Sequence, residues 1–216
     1  MKKPFKELDE DRKWDIVTDM VYEEWYEDVI SQFTKEMEKV GFSDVKVSFS
    51  GFGSQVDGAR FTAYLDFEEF FGAKYHEMDF TFTRSEWEED EELAELADIL
   101  PDPHFFIRDL TKLGFFSAKL IRNSSRYVHE NSVGWDFVLE GIVEVDYGVE
   151  DIERYEFNPD QVKELEQFVI FIEPYLKDWK NDVCKKLYDR LEKDYEAIRK
   201  ELLNQYEEEN EEWNVR

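Results

Sequence analysis

The spacing of apolar residues changes along the chain, and that change restricts the fold more than any motif does. From about residue 12 to 40, Trp14, Val17, Val21, Trp25, Val29, Phe33, Met37 and Val40 step by three or four, which draws one apolar stripe along a helix. Gly41 stands where that helix should stop. Val45, Val47 and Phe49 then alternate with Lys46, Ser48 and Ser50, and Ala59, Phe61, Ala63, Leu65 and Phe67 repeat the period of two. That period sends successive side chains to opposite faces of a strand. The two segments predict a hairpin closed by the long connection Gly51-Phe52-Gly53-Ser54-Gln55-Val56-Asp57-Gly58.

The remaining segments extend the same pattern. Phe80 to Thr83 reads as a short strand, and Glu86 to Asp98 as an acidic helix whose narrow apolar face is Trp87, Leu93, Leu96 and Ala97, ended by Pro101 and Pro103. Phe115 to Arg122 and Arg126 to Glu140 predict a second hairpin around Asn123-Ser124-Ser125, with Ile142, Val143 and Val145 continuing the sheet beyond Gly141. Asn158 and Pro159 suit the cap and first position of a C-terminal helix that Pro174 should kink or restart. Leu176, Trp179, Val183, Leu187, Leu191, Tyr195, Ile198, Leu202 and Tyr206 keep helical spacing into a tail, residues 207–216, expected to fray. The order predicts an α+β fold: an antiparallel sheet of about four or more strands with a long N-terminal helix, an acidic middle helix and a long C-terminal helix. No linker rich in Pro, Gly or Ser divides it, so one domain over 1–216 with a protruding C-terminal helix is expected.

Charge narrows the function classes. With 42% apolar and 17% aromatic residues the chain has ample material for a core, yet 54 acidic against 27 basic residues give a formal charge of −27. Such a field repels nucleic acid, nucleotides and anionic membranes and attracts basic protein surfaces. Direct nucleic-acid binding and membrane association are therefore not expected. One cysteine, Cys184, rules out an internal disulfide. The N-terminus runs from Met1-Lys2-Lys3-Pro4-Phe5 into acidic residues without the apolar stretch of a secretion signal. No apolar run approaches the roughly 20 residues needed to span a bilayer. A cytoplasmic location is expected.

No catalytic or metal motif is legible, and no cofactor is expected. The glycine-rich connection lacks the lysine and spacing of a phosphate cradle. His129-Glu130 begins like HExxH, but position 133 is Val. Ser50 or Ser54 with His129 and Asp57 or Glu130 is the combination the two hairpins could bring together for nucleophilic catalysis, and Ser54 lacks the flanking glycines of G-x-S-x-G. The acidic run Glu86, Glu88, Glu89, Asp90, Glu91, Glu92 and Glu95 is the densest candidate binding surface. Regularly spaced carboxylates can imitate the phosphate rows of a duplex, about one charge per 1.7 Å.

Trp25-Tyr26-Glu27-Asp28, the segment Phe49 to Phe61, Arg126-Tyr127-Val128-His129-Glu130, and Leu187 to Tyr195 together resemble a family of bacteriophage and prophage proteins sometimes labelled antitoxin-like. The hairpin motif of that family reads close to SGFxSQGDGAxF, from which this chain departs at Gly53 and Val56. The resemblance implies phage origin, action inside a bacterial cell, and a shared sheet that gathers Ser54, Gln55, Asp57, Arg126, Tyr127 and His129. The leading expectation is a phage accessory protein that binds and inhibits a host protein with a basic surface, such as a defence nuclease, by nucleic-acid mimicry. The rival expectations are a small enzyme or ligand binder built on the hairpin polar group, and an antitoxin-like or oligomerising scaffold in which the C-terminal helix pairs with a second copy.

Overall fold

A computed structural model describes residues 2–52, 57–67, 69–70, 116–139, 142–146, 152–156, 159–209 and 212–214. The expected strand over 80–83 and the acidic helix over 86–98 lie outside them. Strand β1 (Lys2–Pro4) leads through a 3-10 turn to helices α1 (Glu10–Met20) and α2 (Glu27–Glu38). Strands β2 (Phe42–Phe49), β3 (Ala59–Leu65), β4 (Phe116–Arg122) and β5 (Val133–Leu139) follow, then β6 (Ile142–Asp146), β7 (Ile152–Glu156), helix α3 (Pro159–Glu209) and β8 (Glu212–Asn214). The fold is α+β, with β2-β3-β4-β5 as a four-stranded antiparallel sheet.

The chain divides into two compact units, residues 1–33 with 186–216 and residues 34–185. Helix α3 has 51 residues and contributes to both units.

In the terminal unit, Phe5, Leu8, Ile16 and Val17 form a buried cluster against which Trp14, Leu202, Leu203, Tyr206 and Trp213 pack. The Phe5 ring lies 5.7 Å from Tyr206 and 6.3 Å from Trp213. The tail expected to fray instead pairs with the N-terminus, Lys3 opposite Trp213. Trp213 lies 6.3 Å from the Phe5 ring and 5.4 Å from the Tyr206 ring, contacts that offset part of the entropy of ordering these last residues. Lys13 is buried and donates to Glu207 at 2.8 Å and Glu10 at 3.1 Å, which raises its pKa.

The single stripe over 12–40 resolves into two helices broken at Val21–Tyr26. Asp9 caps α1, its Oδ1 accepting from the Arg12 N–H at 2.9 Å. No basic residue occupies the last turn of α1, while Glu27 and Asp28 open α2. Carboxylates oppose the negative end of a helix dipole and favour the positive one. Glu23, Glu24, Glu27 and Asp28 therefore end one helix and begin another.

In the sheet unit the expected first hairpin forms, with Val47 opposite Phe61 and Phe49 opposite Ala59. Ala59, Phe61, Ala63, Leu65 and Phe67 are all buried. Phe42 stacks on Trp179 at 5.3 Å and meets Phe61 at 5.7 Å and Phe70 at 5.8 Å, joining α3 to the sheet. Gly41 ends α2 with φ +87°, a conformation that favours glycine.

Two expectations are corrected here and a third is narrowed. Strand β5 starts at Val133, not at Arg126, because residues 123–132 turn their carbonyls to two buried cations described below. The 142–146 segment pairs with β7 as a separate two-stranded sheet instead of continuing the main one. Helix α3 runs through Pro174 as one helix, which removes the restart from the two alternatives, kink or restart, expected there. Proline removes the bond to the carbonyl four residues earlier, here that of Ile170, which is 71% exposed and so has water within reach.

Candidate functional site

The β2–β3 and β4–β5 connections leave the same end of the sheet, and the structure joins them there. Ser50 N–H donates to Gly58 O at 3.0 Å, and Gly58 N–H donates to Ser50 Oγ at 3.0 Å. The Ser50 hydroxyl has two acceptors within reach, Val128 O at 3.4 Å and Gly58 O at 3.5 Å. A Cβ on Gly58 would stand 2.8 Å from both Cα and Cβ of His129 and 3.0 Å from Val128 O. Glycine is thus needed at 58 for close approach of two backbones, not for a positive φ.

Residues 123–132 are held by their own turns and by cations beneath them. Ser124 Oγ accepts from the N–H groups of Arg126 and Tyr127, at 3.3 and 3.4 Å. Ser132 Oγ donates to His129 O at 2.6 Å and accepts from His129 N–H at 3.1 Å. Arg60, 4% exposed, donates through Nη1 to Ser124 O and Tyr127 O at 2.9 Å and to Ser132 Oγ at 3.1 Å. Lys180, 2% exposed, donates through Nζ to Glu130 O at 2.6 Å and Val133 O at 3.1 Å. Burial pushes both pKa values down. Neither cation has a carboxylate partner among the described residues. In a protein with twice as many acids as bases, main-chain carbonyls carry this load.

The sequence-predicted polar group is placed only in part. Ser54 and Gln55 lie outside the described residues. Asp57 is half-buried and adjoins Gly58, which meets His129. Arg126 is exposed with its guanidinium 5.4 Å from the Tyr127 ring centroid, and the Tyr127 and His129 rings are 6.0 Å apart. His129 Nδ1 accepts from Asn131 N–H at 3.1 Å, so the neutral ring carries its proton on Nε2. Ser50 bonds main chain in place of a base, and His129 Nδ1 is committed to Asn131; the Ser50–His129 version of a nucleophilic pair is not assembled. Cys184 is buried and its thiol is pushed up to about 12, which keeps it protonated and unreactive. No cluster able to hold a metal occurs among the described residues, and no described helix is long and apolar enough to cross a membrane.

The acidic residues Glu86, Glu88, Glu89, Asp90, Glu91, Glu92 and Glu95 also fall outside the described residues. A second acidic surface is described, in the terminal unit. From Glu7 to Asp28 the basic residues are Arg12 and Lys13, and Lys13 is already paired. Asp11, Asp19, Glu23, Glu24, Glu27 and Asp28 are exposed and form no ion pair among the described residues. At the α1–α2 break an open concavity is lined by Tyr22, Glu24, Trp25, Glu27 and Asp28. Tyr22 is 56% exposed, whereas Trp25 is anchored at 5.2 Å from Tyr195. Carboxylates around aromatic rings suit an ammonium or guanidinium group.

Arg60 and Lys180 escape a reading of the sequence for different reasons. Arg60 sits on the face of β3 that alternation assigns to solvent. Lys180 carried a signal, since it lies four residues from both Leu176 and Cys184 on one helix face, and both of those are buried.

These features define an α+β protein with a fixed loop junction at one sheet end and an acidic, aromatic surface in its terminal unit. The chain belongs to a family described as a domain of unknown function, DUF8835, whose model matches residues 25–201. Helix α1, β1 and β8 lie outside the matched residues, and the loop junction lies within them. No curated protein and no solved structure matches the chain.

Proposed function

We propose that the protein acts by binding, as an accessory protein of phage origin that occupies the cationic cleft of a host nucleic-acid enzyme and so inhibits it. The observation that carries this reading is the α1–α2 break, where Glu23, Glu24, Glu27 and Asp28 are exposed and form no ion pair among the described residues, and where Glu24, Glu27 and Asp28 share a concavity with Tyr22 and Trp25. Lysine or arginine side chains fit that concavity by charge and by the ring faces. The formal charge of −27 adds long-range steering toward a basic surface. The sequence resemblance supplies the phage setting.

The test is capture from a bacterial lysate at low salt, followed by elution with a salt gradient and, separately, with duplex DNA. A nucleic-acid-binding protein released by both treatments is the expected result, because exposed charge pairs are screened over about 8–10 Å at moderate ionic strength. A partner that resists both salt and DNA would overturn mimicry.

A further inference from the structure

Arg60 and Arg122 meet at one oxygen. The Ser124 carbonyl accepts from Arg60 Nη1 at 2.9 Å and from Arg122 Nε at 2.8 Å. Two guanidinium groups therefore converge in a chain of −27 net charge, with no carboxylate paired to either among the described residues. The charged neighbour that disturbs Arg60 is Arg122 itself, which adds to burial in lowering the Arg60 pKa. Among the described residues, the three acceptors of Arg60 share the two hydrogens of Nη1. The face formed by Nε and Nη2 is the one a guanidinium presents to a two-oxygen acceptor.

A buried charge without a counterion is costly, and carbonyl dipoles compensate it incompletely when a second cation shares them. The loop that brings the two together is fixed by Ser124, Ser132 and Lys180, so the arrangement is held in place before any ligand arrives. Arg126, exposed against Tyr127, adds a third cation on the same connection. We propose that Arg60 and Arg122 form a subsite for a small oxyanion, a phosphoryl or carboxylate group, at the loop end of the sheet. This site is independent of the acidic surface. It gives the family-matched part of the chain a binding capacity opposite in sign to the protein as a whole.

The experiment is an NMR titration of the full-length protein, following the side-chain Nε–H signals of Arg60 and Arg122 and the Tyr127 amide. Sodium phosphate and sodium acetate are the probes, with sodium chloride at matched ionic strength as reference. Saturable shifts with phosphate are expected, and at least about tenfold weaker binding in Arg122→Gln, which removes the exposed half of a charge-assisted pair while leaving the buried clamp in place. Saturation by phosphate alone assigns a phosphoryl ligand, and saturation by both probes assigns a subsite that takes either oxyanion. Shifts that track ionic strength without saturating, or an unchanged affinity in Arg122→Gln, would overturn the proposal.

Discussion

Lys180→Ala is expected to lower stability by roughly 3–4 kcal/mol, the sum of unpaired buried acceptors and an unfilled space. The ammonium supplies bonds to Glu130 O and Val133 O, and no other described donor is placed to replace it. Losing it strands carbonyls beneath a loop already turned away from strand geometry. Lys180→Met restores most of the volume without the donor, so it should recover the cavity part alone, leaving a deficit of about 2 kcal/mol. Denaturant titration measures both values. Hydrogen exchange should speed up first at Asn131 and Ser132, whose amides bond within that loop. Equal stability of wild type and Lys180→Ala would mean that the ammonium does not hold the loop.

Gly41→Ala is the second large effect. A Cβ there would lie 2.7 Å from Asp66 O, 2.8 Å from Phe70 N and 2.9 Å from Glu69 Cβ, and the φ of +87° is strained for any L side chain. Two of those three neighbours are backbone and cannot rotate away. They also belong to the link that seats Phe70: Gly41 O accepts from Asp66 N–H at 2.7 Å, and Asp66 Oδ1 accepts from Glu69 N–H at 3.1 Å. Strain and overpacking together should cost about 3 kcal/mol or more. In a chain of this size that corresponds to a fall in Tm of roughly 6–12 °C. A calorimetric scan reads it directly, and a Tm within about 2 °C of wild type would contradict the close packing at this corner.

The first hairpin, the four-stranded sheet and the C-terminal helix are legible in the sequence because their apolar periods are long and regular. The break between α1 and α2 is not, since Val21 and Trp25 keep the helical step while Glu23, Glu24, Glu27 and Asp28 decide the outcome through the helix ends. The 123–132 loop misleads for a similar reason. Its local pattern around Val128 suits a strand, but Arg60 and Lys180, distant in sequence, capture its carbonyls. The hairpin polar group draws attention to Arg126, Tyr127 and His129, yet the cations that fix their loop come from a strand face and a helix stripe that periodicity assigns to other roles. Gly58 is noticed as a turn residue, whereas its structural importance is the contact of its backbone with His129.

The most direct test of a binding role centred on the α1–α2 break is a charge-matched comparison against the captured partner. One variant carries Glu23→Gln, Glu24→Gln, Glu27→Gln and Asp28→Asn; the other removes the same charge at Glu173, Asp178, Asp189 and Glu192, also exposed. If the break is the docking surface, the first variant should bind at least about tenfold more weakly at low salt and show a shallower salt dependence, while the second stays within about threefold of wild type. Equal losses in both variants would show that net charge alone governs binding, and would contradict a docking surface at Tyr22–Asp28.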